Sequence, residues 1–149
     1  MFPLRNKLGL AKASPFFSEI QLQPQEEFMG LDQYASTYLS DGYIENDVFY
    51  WRKHSQLQAF MQEKWDRLNS DKEASEFNVS PLRLTKEDIL DLKRRLVFGI
   101  MPRSEGGFFF GHQWQDQTSE EYKEQDLKFC EWALKKIDEG LPVYYQCWW

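Results

Sequence analysis

The chain has 149 residues, a formal net charge of −6 and a pI near 5.0. A chain of this size makes one domain and buries roughly two thirds of its unfolded surface, so folding requires neither a disulfide framework nor a structural metal. The acidic balance argues against nonspecific nucleic-acid binding, no apolar run is long enough to span a bilayer, and two cysteines without a CxxC are no disulfide scaffold.

Residues 1–28 read as an N-terminal extension. Arg5, Lys7 and Lys12 precede the first acid, Glu19, but Pro3 and Pro15 interrupt any long amphipathic helix. A docked arm is therefore expected rather than a targeting peptide. Within it, FFSEIQLQ (16–23) alternates enough for an edge strand. Residues 29–37, MGLDQYAST, are β-compatible, and Asp41-Gly42 is a strong turn signal.

From 46 to 70, Asn46 or Asp47 offers a helix cap. Trp51, His54, Leu57 or Gln58, Met61, Trp65 and Leu68 recur three and four apart, which predicts an amphipathic helix of about six turns. Its opening residues, Val48-Phe49-Tyr50-Trp51, are apolar all round, so this end is expected to be the most deeply buried. Residues 70–84 form a polar loop that becomes extended toward Leu84, with Pro81 keeping it off a central strand.

The next element, TKEDILDLKRRLV (85–97), carries its own boundaries. Thr85 is the cap and Asp88 sits where it can reciprocate. Ile89, Leu92 and Leu96 form the buried stripe, with acids in the first turn and bases in the last to match the helix dipole. A last helix is expected over 118–138, with Thr118 and Glu121 as a capping box. Tyr122, Phe129, Cys130, Ala133 and Ile137 share a face, with Trp132 beside them, and Gly140 and Pro142 end the helix. VYYQCWW (143–149) reads as a strand.

Between these helices stands GGFFFG (106–111). Three consecutive phenylalanines in a strand point to both faces and need cover on both sides. The expected fold is α+β: a small, mostly antiparallel sheet of 29–37, 107–111 and 143–149, with 16–23 as a further strand, packed with three main helices in a single domain over 29–149.

Taken in order, Met29-Gly30-Leu31-Asp32-Gln33-Tyr34, Tyr50-Trp51-Arg52-Lys53, Gly107-Phe108-Phe109-Phe110-Gly111 and Tyr144-Tyr145-Gln146 with the terminal tryptophans resemble a group of small uncharacterised bacteriophage and prophage proteins. The resemblance covers about residues 29–149. Those proteins usually begin at the position of Met29, so residues 1–28 depart from the pattern, as do His54-Ser55-Gln56 after YWRK. The resemblance implies a phage context and the cytoplasm of a bacterial host. It implies no catalytic residues.

Aromatic residues make up 17% of the chain, enough both to fill a core and to leave rings for an interface. Arg52 and Lys53, at the expected start of the first long helix, would attract a phosphate or carboxylate, with Trp51 able to stack on a base or sugar. Asp32, Tyr34, Tyr145 and Gln146 carry polar tips on the strands expected to pair, and would join Arg52 in lining a pocket. His112, with Asp116 nearby, is the candidate general base. No metal or cofactor is expected, because no ligand spacing, P-loop or GxGxxG is present. Whether any reaction is catalysed stays open. The leading reading is a non-enzymatic cytoplasmic interaction protein that binds a host or phage protein through an aromatic-rich surface, as a monomer or a homodimer. The alternative is a small-ligand or nucleotide-binding or processing protein with an anion site at the start of the first long helix.

Overall fold

In a computed structural model of the chain, residues 30–102 and 115–149 are described, the side chains of 115–121 excepted. The architecture is α+β. In chain order the elements are strands β1 (Asp32–Ser36), β2 (Leu39–Ser40), β3 (Tyr43–Ile44) and β4 (Phe49–Arg52), helix α1 (Ser55–Leu68), a 3-10 turn (Ala74–Phe77), strand β5 (Leu82–Leu84), helices α2 (Lys86–Phe98) and α3 (Gln115–Asp138), and strand β6 (Val143–Trp148). Four strands form one antiparallel sheet in the order β4-β1-β6-β5, and β2 and β3 make a separate hairpin.

The expected pairing of 29–37 with 143–149 is present, with Tyr34 opposite Gln146 and Ala35 opposite Tyr145. The strands flanking this pair differ from expectation. β1 lies between β4 and β6, and β6 between β1 and β5, whereas the expected third strand is residues 107–111. Those residues, the 16–23 segment and the extension over 1–28 lie outside the described residues. β5 is an edge strand next to Pro81, where a missing amide costs nothing.

The helix expected over 46–70 is corrected at its start. Phe49–Arg52 is a strand, and α1 begins only at Ser55, capped by His54 instead of Asn46 or Asp47. Aromatic residues favour the extended backbone, and in a strand successive side chains point to opposite faces. Trp51 is buried while Tyr50 is 43% and Val48 is 52% exposed, so this end is not apolar-buried all round. Lys53, at φ 61, makes the bend that ends the strand. At the far end Leu68 is 67% exposed and leaves the buried stripe.

α2 matches expectation in detail. Thr85 accepts from the Asp88 amide, the Asp88 carboxylate accepts from the Thr85 amide, and Gly99, at φ 69, closes the other end. In α3 the helical backbone already runs at Gln115, so Thr118 and Glu121 fall inside the helix. The same T-x-x-E spacing also fits two adjacent positions on a helix face, which is why it misled. Asp41 and Gly42, at φ 53 and 82, form the two-residue β2–β3 turn that the right-handed strand twist prefers.

The core lies between one sheet face and the helices. Among the described residues Trp51, Phe60, Phe77, Phe129 and Tyr145 are its largest fully buried side chains. Trp51 meets Phe129 edge-on at 5.3 Å and Phe49 face-on at 5.9 Å. α1 and α2 are joined by a charged clamp in which Asp91 accepts from Lys64 at 2.8 Å and from Arg94 at 2.8 Å, and Arg95 bridges Asp91 and Glu63. Lys64 and Arg95 both lie over the Phe60 ring, at 4.7 and 5.2 Å.

Candidate functional site

The two faces of the sheet carry different chemistry, because alternation sends neighbouring residues to opposite sides. On the helix-facing side, Gln33, Trp51, Tyr145 and Cys147 are buried. Gln33 there acts as a spare peptide group. Its Oε1 accepts from the His54 amide at 2.9 Å, and its Nε2 donates to the His54 carbonyl at 3.0 Å and to the Tyr145 hydroxyl at 2.9 Å. The Tyr145 hydroxyl donates to Gln58 Oε1 at 2.6 Å, and Gln58 Nε2 donates to Cys147 Sγ at 3.4 Å. Burial drives the Tyr145 phenol well above its ordinary value, with the neighbouring Cys147 adding to the effect. The chain of bonds satisfies these groups internally, as buried polar groups require.

A second knot fastens α3 to the β4–α1 junction. Asp126, on α3, accepts from the Trp51 indole at 2.9 Å through Oδ1 and contacts His54 Nε2 at 2.6 Å through Oδ2. His54 Nδ1 accepts from the Leu57 amide at 3.4 Å, and its ring stacks on Tyr122 at 4.2 Å. An Asp–His pair can prepare a general base, but only when one imidazole nitrogen is left to meet substrate. Here both nitrogens are engaged and both side chains are nearly sealed, at 1% and 2% exposure. The pair therefore holds structure: Asp126 fixes the proton on Nε2, which frees Nδ1 to cap α1. Tyr122 and Gln125 donate to the carbonyls of Arg52 and Tyr50, so α3 also occupies two acceptors of strand β4 at the sheet edge.

The opposite face is open to solvent at its flanks. Asp32 and Arg52 stand opposite one another on β1 and β4, 3.3 Å apart, and the Tyr50 hydroxyl donates to the same carboxylate oxygen at 2.6 Å. Partial burial, then the Asp32 charge, hold the Tyr50 phenol above its ordinary value. Tyr34 packs on Tyr50 at 5.3 Å. A Cβ at Gly30 would stand 2.3 Å from the flexible end of Arg52, so a larger residue there would displace the guanidinium. The β2–β3 hairpin folds over the middle of this face. Gln146 pins it by accepting from the Ile44 amide and donating to the Gly42 and Val79 carbonyls, while the Ser36 hydroxyl contacts the carbonyls of Glu45 and Asn46. The hairpin's Tyr43 packs against Trp148 at 6.1 Å, and both remain about half exposed, at 48% and 45%.

These faces divide the residues expected to share one ligand site. Asp32, Tyr34 and Arg52 lie together on the open face. Trp51 and Tyr145 point the other way, into the core, so Trp51 has no free face for a base or sugar. Gln146 is buried beneath the hairpin, and Lys53 sits on the bend after β4. The α1 start is itself buried, with His54 and Ser55 at 1% and 0% exposure. His112 and GFFFG lie outside the described residues. Among the described residues no group of three or more His, Cys, Asp or Glu could hold a metal, and no helix is long and apolar enough to cross a membrane.

Sequence reasoning missed Asp126. Its signal was present: it lies four residues after Tyr122 and four before Cys130, squarely in the buried stripe of α3. A carboxylate in such a stripe demands a buried donor. Gln33 and Gln58 similarly occupy inward positions.

No family model, curated protein or solved structure matches the chain.

Proposed function

We propose that this protein is a non-enzymatic interaction module, phage-derived and acting in the cytoplasm of a bacterial host, which binds a protein partner through the open face of its sheet. The reading rests on the aromatic hairpin surface: Tyr38 and Tyr43 of the hairpin segment and Trp148 of β6 are 52%, 48% and 45% exposed. Tyrosine and tryptophan are the residues that protein interfaces favour, since each offers a large, stiff contact area and a polar tip. The buried Asp126–His54 pair has no free imidazole nitrogen, which favours binding over turnover at that place.

The test uses the intact chain as bait. Tyr43→Ser with Trp148→Ser should leave the melting temperature nearly unchanged and abolish capture of a defined protein from host or infected-cell lysate. Lys128→Ser, an exposed change on α3, should retain that capture. Equal capture by both variants, or no capture above an unrelated acidic protein, refutes the reading.

A further inference from the structure

Two exposed surfaces of this fold are complementary to each other. The hairpin segment, Thr37 to Val48, contains Asp41, Glu45 and Asp47 and no base, and none of these acids makes an ion pair among the described residues. Its exposed apolar groups are Tyr38, Tyr43 and Val48, with Trp148 beside Tyr43. The end of α2 and its exit, Leu92 to Pro102, has the opposite composition, with Lys93, Arg94 and Arg95 and no acid. Even with the clamp partners counted, Lys64, Lys93, Arg94 and Arg95 outnumber Asp91 and Glu63. Here Val97, Phe98 and Ile100 are 54%, 71% and 51% exposed.

The hairpin covers the sheet face turned away from the helices, and α2 belongs to the helical layer. One chain therefore cannot satisfy one patch with the other. We propose that the acidic aromatic hairpin of one copy docks on the basic apolar end of α2 of a second copy, head to tail. A symmetric contact centred on either patch alone would set acids against acids or bases against bases, which is costly. A twofold contact pairing both patches reciprocally needs them on one side of the fold, whereas they lie on opposite layers. A head-to-tail contact instead leaves one patch free at each end, so it propagates into a ring or a filament. This inference rests on the reading of the open face as a binding surface and names its partner as another copy of the chain.

Charge reversal and sedimentation velocity test it. The wild-type chain should self-associate with rising concentration, at least about tenfold more weakly at high salt than at low salt. Glu45→Lys with Asp47→Lys should be monomeric, and so should Lys93→Glu with Arg94→Glu. An equimolar mixture of the two should associate again, because each reversed patch then meets its opposite on the other variant. Phe98→Ser, at a position outside the core, should weaken wild-type association without lowering the melting temperature. A wild-type chain monomeric at every concentration overturns the inference. So does association indifferent to the α2 changes, or a mixture no more associated than its components. If the wild type stays monomeric while Tyr43→Ser with Trp148→Ser still loses a captured protein, self-docking fails and the interaction module stands.

Discussion

Replacing Asp126 by alanine probes the knot that fastens α3 to the sheet. The change removes both acceptors, leaving the Trp51 indole N–H and His54 Nε2–H facing a cavity where almost no water reaches. A buried donor without a partner costs about 1–3 kcal/mol and two are orphaned here, so we expect a loss of about 2–6 kcal/mol. Asparagine separates the two bonds. Its carbonyl can keep Trp51, but its amide then turns an N–H toward His54. The imidazole must either face that donor with its own proton or move the proton to Nδ1, and in the second case it can no longer cap the Leu57 amide. A lost cap costs about 1 kcal/mol, so Asp126→Asn should fall between the wild type and Asp126→Ala. Urea unfolding followed by tryptophan fluorescence measures both losses, and the hydrogen-exchange rate of the Leu57 amide reports the cap. A loss below about 1 kcal/mol for Asp126→Ala would refute the claim that these bonds hold the helix down.

Two further predictions concern ionisation. Partial burial would raise the Asp91 carboxyl, but hydrogen bonds from Lys64, Arg95 and Arg94 outweigh it and hold the group well below the usual 3.8. A depressed carboxylate adds stability that is present above 3.8 and is lost as pH falls below it. Acid unfolding of the wild type should therefore steepen below about pH 4, and Asp91→Asn should be less stable at pH 7 by about 2–3 kcal/mol while losing part of that acid dependence; an unchanged acid profile would count against the clamp. Burial pushes the thiols of Cys130 and Cys147 up to about 12. The folded chain should accordingly resist a thiol reagent at pH 8 and react at both cysteines in urea, and prompt labelling without denaturant would show that a thiol is reachable.

Local order was largely legible in the sequence. α2, the Asp41-Gly42 turn, the stop at Gly140 and the strand character of 29–37 and 143–149 follow from caps, periodicity and backbone preference, each set by residues only a few positions apart. The YWRK segment shows where that reasoning fails. Trp51, His54, Leu57 and Met61 keep helical spacing, yet Trp51 stands on a strand, because β1 supplies edge hydrogen bonds and a bend at Lys53 restarts the phase.

Which side chains meet was decided only by the tertiary structure. Gln33 reaches Tyr145, and His54 and Trp51 reach Asp126, across long stretches of chain whose approach depends on strand order and helix placement. The strand order also split the expected ligand residues between two faces, burying Trp51 and Tyr145 and leaving Asp32, Tyr34 and Arg52 outside. A side-chain alternation of two is written into each strand by itself. Which of its faces meets the helices depends on burying the most apolar surface in the whole chain at once, and no single segment contains that comparison.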